Sequence, residues 1–341
     1  MSDWKKRPFT SMEEACRASL IECRREASPG RFTLADAVDG ERVGKGAGRV
    51  FVFADGRGGI AFNWRTGERA LWFLDAGTPL SPAEEKRRQA KAARAMRRLE
   101  TERIHRQKEA AQFAESLLHL SRPAEKVGHA YLRRKGVKPV PQIGVLEASV
   151  IREAFAEFYT GDRKHGPLWD DKTNQRMVGP VLIVPLYGNL RLNRIVSLEF
   201  ISEAGGKRTL PESRARGALW LPDSARLSAI PPRLIGVAEG LATALSVSQV
   251  KGIPVAAARS CNNLLPAARL LRERFRSCHL IVLGDLGRGE EHARKAARQV
   301  CGTDVLFPAF PPVLLDRFRS RTGSNSAPTD WNDYYLALGA L

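Results

Sequence analysis

The stretch LIGVAEG, Leu234–Gly240, decides the architecture of this chain. An apolar, β-type run ends on the carboxylate Glu239, a glycine follows, and a helix-like pattern continues from Leu241 to Val250, closed by Gly252. The same grammar returns in HLIVLGDLGRGEEHARKAA, His279–Ala297, where the run Leu280–Gly284 ends on Asp285. Between the two lie a strand-like run, Ile253–Ala258, and a helix pattern, Asn262–Phe275, with Ser260 as its cap. Glu290–Val300 then reads as a helix and Asp304–Phe307 as a fourth strand. A βαβαβαβ order implies a compact parallel sheet with right-handed crossovers. Ligands bind such sheets at the carboxyl ends of the strands. Glu239 and Asp285 therefore arrive in one crevice from different strands, a combination suited to a divalent cation and phosphates.

Working upstream, Val178–Leu186, VGPVLIVPL, reads as a buried strand, and Arg194–Ile201, RIVSLEFI, alternates like its partner. Gly205–Leu210 and Ser213–Leu221 then place Lys207, Arg208, Arg214 and Arg216 around flexible glycines. Such a basic hairpin can cradle phosphates, although an exposed turn has the same composition. Ala130–Gly136 suggests a helix closed by Gly136. Ser81 and Pro82 with Glu84–Glu85 start a helix pattern that runs to about Leu118 without glycine or proline. Ten Lys or Arg lie between Lys86 and Lys108, opposed only by Glu100 and Glu102. That face is either a solvated connector or a surface that tracks a phosphate backbone. Residues 1–79 look like a small α+β unit, with helical spacing over Met12–Arg25 and strands at Arg49–Ala54, Ile60–Trp64 and Ala70–Leu74. Its aromatics Phe51, Phe53, Phe62, Trp64, Trp72 and Phe73 either stack on bases or fill the core of a small sheet. The expected segments are 1–79, a basic connector helix at 80–120, an α+β region at 121–230 and the parallel-sheet domain at 231–341.

Bulk properties narrow the function classes. The 341 residues carry 55 Lys and Arg against 37 Asp and Glu, a net charge of +18 that favours a polyanionic partner, nucleic acid first. Five cysteines without a CxxC pair point to reduced thiols rather than a zinc knuckle or a disulfide framework. The N-terminal stretch has no apolar signal core and no run is long enough to span a bilayer, so a cytoplasmic protein without a membrane partner is expected.

Three stretches carry a family resemblance. VAEGLATALS, Val237–Ser246, resembles the glutamate motif of Toprim domains, and GDLGRGEEHARKAA sits where that family carries its Asp-x-Asp metal motif. PTDWNDYYLALG, Pro328–Gly339, resembles the segment that closes many plasmid and phage primases. NWRTGERALW, Asn63–Trp72, and VPLYGNLRLNRIVSLEFISEAGGKRTLP, Val184–Pro211, fit the same group. The resemblance implies an α/β chain: a C-terminal Toprim-like parallel sheet flanked by helices, preceded by an α+β primase core and a small N-terminal α+β unit.

It also implies a function, DNA primase, which makes short RNA primers on single-stranded DNA by nucleotidyl transfer for replication or transfer of a mobile element. Glu239 takes the catalytic position. Asp285 takes the metal position, with Asp333, Asp330 and Glu290 as further candidate ligands for Mg²⁺ or Mn²⁺. Lys207, Arg208, Arg214 and Arg216 are expected at nucleotide or DNA. The implied partners are a single-stranded DNA template, nucleoside triphosphates and a replicative helicase supplied in trans, since no GxxxxGK[ST] loop is present. One departure stands out: Asp285 is followed by Leu286 and Gly287, so the second acid of Asp-x-Asp is missing. Either the ligand set is rearranged, or the chain is a nucleic-acid-binding accessory protein whose catalysis has weakened. Metal-dependent strand cleavage is a third reading, for which no tyrosine nucleophile stands out.

Overall fold

The computed structural model describes residues 8–30, 32–38, 44–63, 66, 68–74, 81–158, 168–170, 175–226, 228–323 and 326–341. Trp64 and the connections at 75–80 and 159–167 lie outside them. The chain divides into two units, Met1–Thr101 and Glu102–Leu341.

The first unit is a five-stranded antiparallel sheet whose spatial order follows the sequence: Ile21–Glu22, Phe32–Ala37, Gly44–Val52, Gly58–Asn63 and Arg69–Phe73. One face packs on the helix Met12–Ala18 through Ala15 and Cys16, which meet Ala35, Val50, Val52, Ala61 and Trp72. The helix expected to reach Arg25 stops at Ala18. Leu20 takes the left-handed φ of 54°, and the Asn63 amide donates to its carbonyl at 3.1 Å. Ile21 then turns into the sheet opposite Ala37 and is buried. Burial pushes the Cys16 thiol up to about 12, as expected for a core cysteine without a partner charge. Phe53, Trp72 and Phe73 go into core, while Phe51 and Phe62 are half-buried.

A single helix, Pro82–Leu120, carries the basic run. Ser81 and Glu84 start it reciprocally: the Ser81 hydroxyl accepts the Glu84 N–H at 3.3 Å and the Glu84 carboxylate accepts the Ser81 N–H at 2.9 Å. In the second unit its last turns become apolar. Ala110, Phe113, Ala114 and Leu117 pack with Ile151, Phe155, Leu198 and Phe200.

The second unit is built on two sheets. The antiparallel one has the order Lys207–Thr209, Arg194–Ser202, Pro180–Asn189, Gly144–Glu147, Arg122–Pro123. The parallel one has the order Val255–Ala257, Leu234–Ala238, His279–Leu283, Thr303–Leu306. Leu219 and Trp220 join them: Leu219 bridges to Tyr187 of the first sheet and Trp220 to Ala257 of the second. Trp220 is wholly buried, in a core that also holds Leu182, Val184, Ala238 and Leu241. The 121–230 and 231–341 segments thus share one interior. The helix Leu241–Lys251 is buried from Leu241 to Val247, because the helix Trp331–Leu338 covers the side turned from the sheet. The expected Asn262–Phe275 helix begins later, at Leu264, after a 3₁₀ turn over Cys261–Asn263. Ser260 makes no side-chain cap. The anchoring side chain is Asn263, which accepts the Gly217 N–H at 2.7 Å and donates to Ala218 and Ala258 carbonyls at 2.8 Å.

Candidate nucleotide and metal site

Strand order places the site. The chain runs from the central Leu234–Ala238 strand to the Val255–Ala257 edge, then crosses back to His279–Leu283 on the other side. The reversal leaves a crevice between the first and third strands, where α/β sheets bind ligands. Ala238 pairs with Leu283 in register, so Glu239 and Asp285 leave the sheet at the same level of that crevice. Gly289, which begins the helix after Asp285, lies between them. A Cβ there would stand 3.2 Å from Asp285 Cβ and 3.8 Å from Glu239 Oε2.

The C-terminal segment closes the crevice. The Leu286 N–H donates to the Thr329 carbonyl at 2.8 Å, which brings Asp330 beside Asp285. Asp330 caps the helix Trp331–Leu338 by accepting the Asp333 N–H at 2.9 Å, and Asp333 accepts the Thr329 N–H at 3.0 Å. Asp333 also stands 3.6 Å from Lys135 Nζ. Asn332, fully buried, pins the segment by donating to the Lys135 carbonyl and the Ser246 hydroxyl, each at 2.7 Å. Both aspartates therefore have structural work at the helix start as well as a place near Asp285. Glu290 sits apart: its carboxylate accepts the Gly287 N–H at 2.9 Å and faces Arg294 at 3.7 Å.

The electrostatics follow from packing acids together. Burial, then the neighbouring Asp330 and Glu239 charges, push the Asp285 carboxyl up to about 8, against the pull of Lys207. Burial likewise raises Glu239, opposed by Lys207, by the backbone N–H of Cys261 and by His292. Asp330 is raised by burial and by Asp333. Asp285 Oδ1 is buried without a hydrogen-bond partner. Like charges converging on an orphaned oxygen fit a divalent cation. Among the described residues no three His, Cys or acidic side chains are gathered tightly enough to enclose one unaided.

The basic residues divide. On the edge strand Lys207 pairs with Ile201 and Arg208 with Phe200, so alternation sends their side chains to opposite faces. Lys207 reaches the crevice: its Nζ stands 3.3 Å from where a Cβ on Gly240 would be, and 5.9 Å from the Tyr131 ring centre. Arg214 and Arg216 are exposed on the loop that Asn263 ties down through Gly217.

Two residues at the crevice escape a sequence reading. Glu199 is a buried carboxylate on the Arg194–Ser202 strand, directly opposite Thr209. Arg259, just past the Val255–Ala257 strand, takes the left-handed φ of 75°, a conformation that costs a non-glycine residue about 1–3 kcal/mol. Its guanidinium donates to the Thr209 hydroxyl at 2.9 Å. The signals were a lone acid in a mostly apolar strand and a lone arginine at a strand end, both weak without the register.

Similarity to known proteins covers most of this chain. The Toprim domain family matches residues 234–340. The DNA primase TraC of Escherichia coli is 28% identical over 289 residues, 80% of this chain, which spans about a quarter of that protein's length, 24%. The DnaG primase catalytic domain bound to single-stranded DNA has 15% identity and a TM-score of 0.41, covering 61% of this chain and 73% of that one. The primase fragment of the bacteriophage T7 primase-helicase has 18% identity and a TM-score of 0.34, covering 47% and 61%. No described helix is long and apolar enough to cross a membrane. The matched segment coincides with the parallel sheet, its crevice and the C-terminal helix that closes it: residues 234–340 of this chain are a Toprim domain.

Proposed function

We propose that this chain is a metal-dependent DNA primase that joins nucleoside triphosphates into short RNA primers on single-stranded DNA. The observation that carries the reading is the meeting of Glu239 and Asp285 at the crevice, with Asp285 Oδ1 left without a partner. Similarity to a DNA primase over four-fifths of the chain supports it.

In the reaction a primer 3′ oxygen attacks the α-phosphorus of an incoming nucleotide. A P–O bond forms there, the bond to the β-phosphate oxygen breaks, and pyrophosphate leaves. Glu239, whose affinity for a proton is raised by burial, takes the proton from the attacking hydroxyl. Asp285 and Asp330 would hold Mg²⁺ or Mn²⁺, which when bound neutralises charge on the phosphates and acidifies the attacking hydroxyl. Lys207, beside Gly240, meets the phosphates, and the exposed Arg214 and Arg216 face template backbone.

A second reading, a single-stranded nucleic-acid-binding accessory protein with weakened catalysis, is favoured by one observation. Gly287 stands where Asp-x-Asp has its second acid, and Asp330 and Asp333 are engaged at the start of the last helix. The deciding experiment is primer synthesis on single-stranded DNA with labelled nucleotides and Mg²⁺ or Mn²⁺, beside Glu239→Gln. Products that vanish in the variant support the primase. Tight DNA binding without products supports the accessory protein.

A further inference from the structure

Arg259 has no assigned role, yet the fold accepts a strained backbone to place it. It follows the edge strand of the parallel sheet at φ 75°, one of four non-glycine residues with positive φ among those described. Thr209, through its hydroxyl at 2.9 Å, is the single hydrogen-bond partner of its guanidinium among the described residues, and its Nε finds none. Across the crevice mouth the Lys207 Nζ stands 3.3 Å from where a Cβ on Gly240 would be, and Glu199, Glu239 and Asp330 act on its charge. Lys207 and Thr209 lie two residues apart on one strand, on the face that also carries Glu199 and Ile201. Both cations act on Glu199 and on Glu239. Glu199 is almost fully buried, and burial raises its affinity for a proton against the pull of Lys207 and Arg259.

A half-buried fork with donors to spare, tied by Thr209 to the strand face that carries the Lys207 ammonium, makes an anion site. A guanidinium held at one nitrogen keeps its remaining donors for a bidentate partner such as a phosphate. We infer that Arg259 and Lys207 form a clamp for the polyphosphate of the incoming nucleotide, with Glu199 the buried counter-charge that positions both. The clamp rests on the nucleotidyl-transfer reading and adds Arg259 and Glu199 to it. Thr209 fixes the fork, and the polyphosphate competes with Glu239 for both cations.

The test is calorimetric titration of the full chain with pyrophosphate and with ATP in about 0.15 M salt, where diffuse attraction is screened. The variants are Arg259→Lys, Arg259→Ala, Thr209→Val and, as a surface control, Arg298→Ala, with thermal melting run on each. Arg259→Ala is expected to weaken both ligands at least about ten-fold, as loss of a charge-assisted hydrogen bond does. Arg259→Lys and Thr209→Val, which keep the charge, give smaller losses, and Arg298→Ala gives none. Affinity for single-stranded DNA stays within about two-fold of wild type. In primer synthesis the loss is expected in KM for nucleotides ahead of kcat.

Wild-type pyrophosphate affinity in folded Arg259→Ala and Arg259→Lys overturns the inference. An equal loss in Arg298→Ala overturns it too, since binding would then be spread over the basic surface. Failure of the two ideas is distinguishable. A chain that makes no primers but binds pyrophosphate through Arg259 refutes the primase alone. A chain that makes primers with unchanged nucleotide KM in Arg259→Ala refutes the clamp alone.

Discussion

The backbone N–H of Leu286 donates to the carbonyl of Thr329 at 2.8 Å, and this one bond draws the C-terminal segment across the crevice. It places Asp330 beside Asp285, far away in the chain, so that the Asp330 charge helps hold a proton on Asp285. The anchor behind it is Asn332, which holds the segment to the Lys135 carbonyl and the Ser246 hydroxyl. Asn332→Ala strands both partners and is expected to cost about 2–3 kcal/mol. Denaturant unfolding and primer synthesis should fall together. A loss of stability with full activity would separate the C-terminal segment from the chemistry.

Glu239→Gln is expected to lower primer synthesis by about 100-fold or more, as removal of a general base does. Asp285→Asn should do likewise, but with an opposite effect on the metal-free fold. Its buried carboxyl faces Asp330 and Glu239 with an unpartnered oxygen, so neutralising it should stabilise the fold by about 1–4 kcal/mol. Melting in chelator checks this: a Tm at or below wild type would mean that the acids are not crowded as described.

Gly289→Ala tests the space between the two acids. Alanine suits a helix start, but its Cβ would press on Asp285 Cβ at 3.2 Å, closer than ordinary van der Waals separation. Folding should be preserved while primer synthesis drops about ten-fold through displaced geometry. Unchanged activity would show that the cleft tolerates a methyl group and that the glycine is not needed for room.

His129 gives a pH dependence whose sign can be fixed. Burial lowers its pKa, the Pro180 carbonyl and Glu203 oppose that, and Arg133 and Arg134 add to it. Its Nδ1 accepts the Tyr131 N–H at 3.3 Å while Nε2 faces the Pro180 carbonyl at 3.2 Å, an arrangement only the neutral ring satisfies. A depressed folded-state pKa means the contribution is complete above about 6.5, the unfolded value, and is lost as pH falls through the folded value. Denaturant midpoints of wild type should therefore drop more steeply from about pH 7.5 to about pH 5 than those of His129→Asn. Parallel slopes would refute the assignment.

The basic helix is open to a charge test. Replacing the Lys and Arg of 86–108 by Gln should flatten the salt dependence of single-stranded DNA binding by about 0.7 for each phosphate no longer neutralised. An unchanged slope would leave the helix as a solvated connector.

LIGVAEG and HLIVLGD announced the parallel sheet because an apolar run, a terminal acid and a glycine leave few other folds. Strands Leu234–Ala238 and His279–Leu283 lie within a residue of where hydrophobic periodicity puts them. The helix after Ala18 did not obey its periodicity, since Ile21 gains more from the sheet opposite Ala37 than from another helical turn. The crevice itself was only half legible. Sequence placed Glu239 and Asp285 at strand ends, a local property fixed by chain direction. It could not place Arg259 and Glu199 beside them, or turn Lys207 inward and Arg208 away, because those facts depend on the register between distant strands. Composition and local pattern determine which segments are strands and where their acids stand. Only the closing of two sheets through Leu219 and Trp220, and of the C-terminal helix over Asp285, decides which charges share one crevice, since proximity across the chain is set by packing and not by spacing.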